Sequence, residues 1–224
     1  MSNLPVVALL PMKAHSERVP GKNFRDLCGK PLCRWILDTL LEVEAIDRVV
    51  INTDARSQLE AHGISDADRV LIRDRPRHLC GDMVSMNLVL ADDVAHVPAK
   101  LYLMTHATNP LLSAETVGRA LDAFHANPDS DSLFSVTRTQ TRFYRGDGSP
   151  VNHDPAKLMR TQDLEPWFEE NSCLYLFTSE SFAAARARIG NRPMLFETPK
   201  VESIDIDDQS DWNLAEAVLA SRTP

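Results

Sequence analysis

Lys13, Arg18 and Lys22 crowd one short stretch, Leu9–Asn23, that begins as an apolar run ends, with His15, Ser16 and Gly21 between them. Cationic side chains and open backbone amides at the end of a strand suit a polyphosphate. The stretch is not a Walker loop, because Asn23 follows Gly21-Lys22 and Ser16 stands where the earlier glycine is required. It is not a dinucleotide fingerprint either. The same charges also suit a solvated loop with no ligand.

A second stretch, Ser203–Trp212, reads SIDIDDQSDW. Asp205 and Asp207 stand two apart, so at the end of an extended strand both carboxylates share one face. Such a pair suits Mg²⁺, which keeps several waters and takes one or two protein carboxylates. The competing reading is a capping cluster for the helix that follows, with Asp208 or Ser210 as the cap. A metal–triphosphate needs both a cationic loop and a carboxylate pair, so each stretch strengthens the other. Thr105–Leu112 then places His106, Thr108 and Asn109 on a turn after a strand. These groups suit a polyol, although Asn109-Pro110 is also an ordinary turn dipeptide. Further on, Arg160 can grip a carboxylate through two N–H groups, with Gln162 and Asn171 adding polar contacts. A surface ion pair is the plainer use of such an arginine.

The elements that must position these residues alternate along the chain. Val6–Leu10, Arg48–Asn52, Arg69–Ile72, Lys100–Thr105 and Ser132–Val136 read as strands. Pro31–Glu44, with Leu32, Trp35, Ile36, Leu40 and Leu41 on one side, reads as a helix, as do Met86–Val94 and Ala114–Ala126. The alternation predicts an α/β fold with a Rossmann-like, mainly parallel sheet flanked by helices. In such sheets ligands bind where strands end and loops begin. From Thr137 to Asn171 the pattern gives way to Gly, Pro, Asp and Arg. Loops of that length are usually functional, which predicts a lid, or an arm reaching a second subunit. Regularity returns at Cys173–Phe177, and Pro199–Ile206 leads into a last helix, Asp211–Leu219.

The totals narrow the function classes. The chain has 224 residues, enough for one large domain spanning 1–224. A net charge of −8 argues against nucleic-acid binding, which needs a basic surface. Leu4–Leu10 is too short and lacks the basic flank of a secretory signal, and no apolar run approaches a membrane span. Cys28, Cys33, Cys80 and Cys173 form no CxxC, which predicts free thiols in a reducing cytoplasm. The histidines show no zinc-ligand spacing.

Taken in order, these stretches resemble the acylneuraminate cytidylyltransferase family: the CMP-sialic acid synthetases and their relatives for legionaminic, pseudaminic and Kdo-type acids. The family's opening pattern P-A-R-G-G-S-K-x-I-P-x-K-N is similar to Pro11–Asn23 here. Its D-I-D-x-x-x-D-W stands intact as Asp205-Ile206-Asp207 with Asp211-Trp212. Its Q-P-T-S-P-L resembles His106–Leu111, and its R-P-x-x-L-x-x-D resembles Arg75-Pro76 with Leu79 and Asp82. Its R-x-Q-D and N-G-A-I-Y segments resemble Arg160, Gln162, Asp163 and Asn171–Tyr175. The likeness spans nearly the whole chain.

The resemblance implies a nucleotide-diphospho-sugar-transferase-like fold and transfer of a cytidylyl group from CTP to an acidic sugar, with release of pyrophosphate. It implies that Met12, Lys13, Ser16, Arg18, Lys22, Asn23, Arg75, Asp82 and Ser85 serve the nucleotide. Asp205 and Asp207 would hold Mg²⁺ and, with Lys13 and Lys22, form the catalytic set. His106, Thr108, Asn109, Arg160, Gln162 and Asn171 would face the sugar acid. The arm at about 138–171 would cross to the partner in a cytoplasmic homodimer. Lys13 and Ala14-His15 in the cationic loop, and His106 and Ser172-Cys173 on the acceptor side, depart from the family pattern. Another acceptor such as a phosphonate, another nucleotide, and a non-catalytic nucleotide-binding homologue are the alternatives.

Overall fold

The structure is a computed structural model that describes residues 5–16 and 18–222. Leu4 of the apolar run and Glu17 of the cationic loop lie outside the described residues. The first strand, β1 (Val6–Leu9), is followed by the cationic loop and a small hairpin of β2 (Asp26–Leu27) and β3 (Lys30–Pro31). Then come α1 (Leu32–Glu42), β4 (Ile46–Thr53), α2 (Arg56–Ala61), β5 (Val70–Asp74), α3 (Met86–His96), β6 (Leu101–Thr105) and α4 (Ala114–Ala126). The second half adds β7 (Ser132–Thr139), β8 (Trp167–Thr178), α5 (Ser179–Ala185), β9 (Pro193–Glu197) and α6 (Gln209–Arg222).

Seven of these strands form one sheet in the order β5-β4-β1-β6-β8-β7-β9. β8 pairs antiparallel with both β6 and β7, and every other pairing in the sheet is parallel. The mainly parallel sheet expected from the alternation is therefore present.

Both faces of the central strands are buried, which is why they read as continuous apolar runs. On β1, Val6 and Ala8 face one core and Val7 and Leu9 the other. On β6, Leu101 and Leu103 oppose Tyr102 and Met104, and on β8 Leu174 and Leu176 oppose Tyr175 and Phe177. The first core is closed by α1 (Cys33, Ile36, Leu37, Leu40) and α4 (Val117, Ala120, Leu121, Phe124). The second is closed by α3 and α5 through Leu90 and Phe182. A third cluster joins Trp212, Ala215 and Leu219 of α6 to Val19, Leu111 and Ile206. It fastens the cationic loop, the turn after β6 and the Asp205–Asp207 segment to one helix.

Three expectations need correction. First, no strand carries Asp205 and Asp207: β9 ends at Glu197, a turn covers 201–203, and 204–207 is irregular. That segment is shaped instead by Ile206 N–H donating to Thr108 O (2.9 Å) and by Asp207 N–H donating to Asp211 Oδ2 (2.9 Å). Second, the irregular arm is shorter than 138–171, because β7 runs on to Thr139 and β8 begins at Trp167, with Thr139 opposite Trp167. Residues 167–170 are exposed, so no apolar alternation marks them as strand. Third, α2, α5 and β9 escaped the sequence reading. The two helices each bury one large apolar side chain, Leu59 and Phe182. β9 sits at the sheet edge and opens on Pro193, which has no N–H to offer a ladder.

Trp212 is 1% exposed, with the Arg25 guanidinium 4.2 Å above its ring. Trp212→Ala is expected to cost about 3–5 kcal/mol of folding stability, the usual range for emptying an aromatic site. A urea titration of both proteins measures it, and a loss below about 1 kcal/mol would mean that α6 is not held through this ring.

Candidate active site

β1 lies between β4, reached by chain running one way across the sheet, and β6, reached by chain running the other. A crevice opens at such a reversal, outside the carboxyl ends of the strands. The loops after β1, β5 and β6 meet there. So does the start of β8, because its antiparallel course sets Leu174 beside Thr105. The cavity has a volume of about 620 Å³.

The cationic loop forms one wall. Gly21 takes a left-handed conformation (φ 65°), open to glycine at no steric cost, and starts a single helical turn, Lys22–Phe24. Asn23 Nδ2 donates to Lys13 O (2.9 Å), and Ala14 N–H donates to Asp54 Oδ1 (2.7 Å), so the loop is stitched to itself and to the end of β4. Lys13 pairs with Asp82 and Arg18 with Asp207, the latter at 2.7 Å. Lys22 is buried to 11% side-chain exposure, and its Nζ donates to Ile206 O (2.6 Å) with Asp207 at 4.0 Å. Burial lowers its pKa, and the nearby Asp205 and Asp207 work against that shift.

Arg75 forms the floor. Its Nε donates to Asn52 Oδ1 (2.9 Å), and its Nη2 donates to Met12 O (3.0 Å) and Asn52 O (2.7 Å). The Asn52 amide is itself oriented by donating to the fully buried Asp93 (2.7 Å). Met12 is buried in the wall.

Asp205 and Asp207 share the cavity wall with the loop. Burial raises the Asp205 pKa, and a hydrogen bond from the Thr108 hydroxyl opposes that rise. Its Oδ1 is buried with no hydrogen-bond partner. An orphaned carboxylate oxygen beside a second carboxylate is a fitting seat for a cation. Among the described residues no third His, Cys, Asp or Glu completes a cage.

The far end is lined by His106, Ser172 and Arg188. His106 is half-buried in the cavity lining. Desolvation, reinforced by the positive charges of Arg188 and Lys22, pushes its pKa down to about 4. Ser172 lies in a bulge of β8, where Phe134 pairs with Tyr175 but Val136 with Glu170. Its φ of 59° is left-handed. Asn171 braces that bulge by donating to Thr137 Oγ1 (3.0 Å), Thr198 Oγ1 (2.7 Å) and Ser203 Oγ (3.2 Å).

The cavity thus brings together Met12, Lys13, Ser16, Arg18, Lys22, Asn23, Arg75, Asp82, His106, Thr108, Asp205 and Asp207. Ser85 is exposed and precedes α3 outside the lining. Asn109 is fully buried below it, donating to Ile204 O (3.4 Å). Arg160 is exposed on the arm and pairs bidentately with Asp163 at 2.7 and 2.9 Å. Gln162 is exposed on the arm beside it. His15, Ser172 and Arg188 line the cavity without having been marked for it. The cationic loop already displayed His15, whereas nothing around Arg188 in the sequence distinguishes it.

A family model described as Cytidylyltransferase matches residues 7–211. The chain belongs to the cytidylyltransferase family. Pseudaminic acid cytidylyltransferase of Campylobacter jejuni is 26% identical over 96% of this chain and 95% of its own. CMP-N,N'-diacetyllegionaminic acid synthase of Legionella pneumophila is 27% identical over 96% of each. Among solved structures, a CMP:2-keto-3-deoxy-manno-octonic acid synthetase complexed with CTP superposes with a TM-score of 0.69 at 15% identity, covering 97% of this chain and 99% of that one. The 4-diphosphocytidyl-2C-methyl-D-erythritol synthase of Anaerococcus prevotii gives 0.67 at 14% identity, covering 97% of both. Cytidylyltransferases of differing acceptors thus share this sheet.

His106 gives this cytidylyltransferase a pH signature. Its folded pKa of about 4 lies below the ordinary histidine value of 6.5, so the unfolded chain binds the extra proton first as pH falls. The contribution is complete above pH 6.5 and is lost as pH drops toward 4. His106→Gln is expected to flatten the fall in stability across that window, measured by urea midpoints at half-unit steps. Parallel profiles for the two proteins would show that the ring is protonated as easily folded as unfolded.

Proposed function

We propose that this cytidylyltransferase joins CTP to an acidic sugar, giving a CMP-sugar and pyrophosphate. The observation that carries the reading is one cavity holding Lys13, Arg18 and Lys22 opposite Asp205 and Asp207, and running on to His106 and Ser172. The relatives named for pseudaminic and legionaminic acids, alike over 95–96% of their own length, support an acidic sugar as the acceptor.

The triphosphate lies along the cationic loop. A sugar hydroxyl attacks the α-phosphorus, the new oxygen–phosphorus bond forms, and the bond to pyrophosphate breaks as the hydroxyl proton leaves. Such chemistry needs alignment and charge neutralisation more than covalent help. Lys13, Arg18 and Lys22 neutralise the leaving pyrophosphate. Arg75 is immobilised by three hydrogen bonds and presents a fixed charge to the nucleotide, with Ser16, Asn23 and Asp82 around it. Asp205 and Asp207 would hold Mg²⁺, which would offset phosphate charge and favour ionisation of the attacking hydroxyl. Arg18, paired with Asp207 at 2.7 Å and exposed along the loop, is placed to turn to a phosphate.

His106, Thr108 and Ser172 meet the acceptor, while Asn109 and Asn171 hold the turn and the bulge that present them. Arg160 and Gln162 are exposed on the arm and do not line this cavity, which favours a homodimer in which they approach the partner's acceptor. The enzyme works in the cytoplasm, where CTP is available.

Pyrophosphate release tests the reading. CTP, UTP, ATP and GTP are each offered with pseudaminic, legionaminic, sialic and Kdo-type acids and with small phosphonates. Release with CTP and one sugar acid is expected; release only with another nucleotide or only with a phosphonate overturns it. Asp207→Asn is expected to lose turnover on the order of 10²-fold while keeping its melting temperature. Wild-type rates at saturating Mg²⁺ would remove Asp207 from the metal. Lys22→Ala is expected to raise KM for CTP; a change in the sugar's KM alone would reassign the loop.

A further inference from the structure

Arg188 belongs to the loop between α5 and β9 and enters the far end of the cavity. Its backbone N–H donates to Asn87 Oδ1 on α3 (3.2 Å), which anchors the loop. Its guanidinium carbon lies 3.8 Å from the centre of the Tyr175 ring. Stacking fixes the plane of the fork and leaves its N–H edge available. The polar contacts on that edge are long: 3.4 Å to Glu170 Oε1 and 3.4 Å to His106 Nε2. Charge-assisted hydrogen bonds ordinarily close to about 2.7–2.9 Å. Glu170 is held more closely by the Tyr175 hydroxyl, which also reaches Ser172 Oγ at 3.2 Å. A guanidinium with 20% side-chain exposure is thus oriented by an aromatic face and only loosely neutralised, beside two hydrogen-bonding groups of the cavity.

We propose that Arg188 is the anion-binding residue of the acceptor end and receives the acceptor's carboxylate in its planar fork, with Ser172 and His106 alongside. The inference rests on reading this cavity as a cytidylyltransferase site. Glu170 yields its long contact when the carboxylate arrives, and Tyr175 keeps the fork in plane. Within one protomer Arg160 does not do this, because its fork is already closed on Asp163 and lies outside the cavity. The arrangement selects for acids over neutral sugars at a point remote from the triphosphate.

The test is calorimetric binding of pseudaminic acid, N,N'-diacetyllegionaminic acid and 2-keto-3-deoxy-manno-octonic acid, each beside its own 1-carboxamide. Wild type is expected to bind at least one acid more tightly than its amide. Arg188→Ala is expected to weaken that acid about 10- to 100-fold and leave the amide unchanged, the size of a charged hydrogen bond lost. Arg188→Lys keeps the charge without the fork and is expected to fall between. CTP should raise the melting temperature of all three proteins alike, which separates loss of the carboxylate contact from misfolding. In turnover the acceptor's KM should rise while KM for CTP holds. Acid binding that survives Arg188→Ala, amides bound as tightly as acids by wild type, or no acid binding at all would each overturn the proposal. Cytidylyl transfer to a neutral acceptor would sink this inference and leave the nucleotide half of the reading standing. Arg188-dependent acid binding without any turnover of CTP would do the reverse.

Discussion

The parallel pairing of β1 with β4 on one side and β6 on the other constrains every functional side chain in this molecule. Parallel strands send their carboxyl ends to one edge. Because both faces of these strands are buried, the polar chemistry has no other place to go. The loop after β1 therefore meets the end of β4 through Asp54 and the end of β5 through Arg75, and the Asp205–Asp207 segment meets the turn after β6 where Ile206 N–H donates to Thr108 O. β8 is the exception that completes the set: running antiparallel, it brings its own beginning to the same edge and delivers Ser172. Residues more than 180 positions apart in sequence, such as Arg18 and Asp207, become ion-pair partners by this geometry alone.

Charge balance is the second constraint. Lys13, Arg18, Lys22, Arg75 and Arg188 surround a space that also holds Asp82, Asp205 and Asp207. Half-buried charges of one sign would repel and lose hydration, and the cavity pairs its cations with its acids, Lys13 with Asp82 and Arg18 with Asp207. Two side chains remain imperfectly matched. Asp205 keeps an oxygen without a partner, and Arg188 keeps two long contacts. The first is the seat proposed for a cation and the second the one proposed for the acceptor's carboxylate.

The sequence made the central sheet legible because β1, β4 and β6 are buried on both faces, and their apolar runs follow from that. α1 and α4 were legible through their helical periodicity; α4 matches its expected limits. What stayed hidden was marginal in burial. α2 and α5 each place one large apolar side chain inside, and residues 167–170 of β8 none, so no period could reveal them. The cationic loop and the carboxylate pair were readable from residue type. Their partnership was readable from the chemistry of a metal–triphosphate, but the way they are held was not, since Asp205 and Asp207 are shaped by turn hydrogen bonds and not by the strand that their spacing suggests. Arg188 was invisible because its role comes from a stacking partner, Tyr175, that lies thirteen residues earlier on another element.

The two ends of the cavity differ in how they are built, and that difference bears on what can vary. Arg75 is locked by Asn52, which is locked by Asp93, which is fully buried and paired with Arg73. Each link lies on or against the parallel strands, so altering one disturbs the core, and the nucleotide end is constrained by stability as well as by chemistry. The acceptor end rests on a bulge, a left-handed serine and a loop pinned to α3 by one hydrogen bond. Ser172 and Cys173 belong to β8 and Cys173 is fully buried, so variation here falls to the side chains that face the cavity. A fold made this way keeps one nucleotide and admits many acceptors, which is the pattern among the relatives. The departures in this chain fall on both sides, at Lys13 and Ala14-His15 in the cationic loop and at His106 and Ser172-Cys173 toward the far end, so neither end is exempt from change.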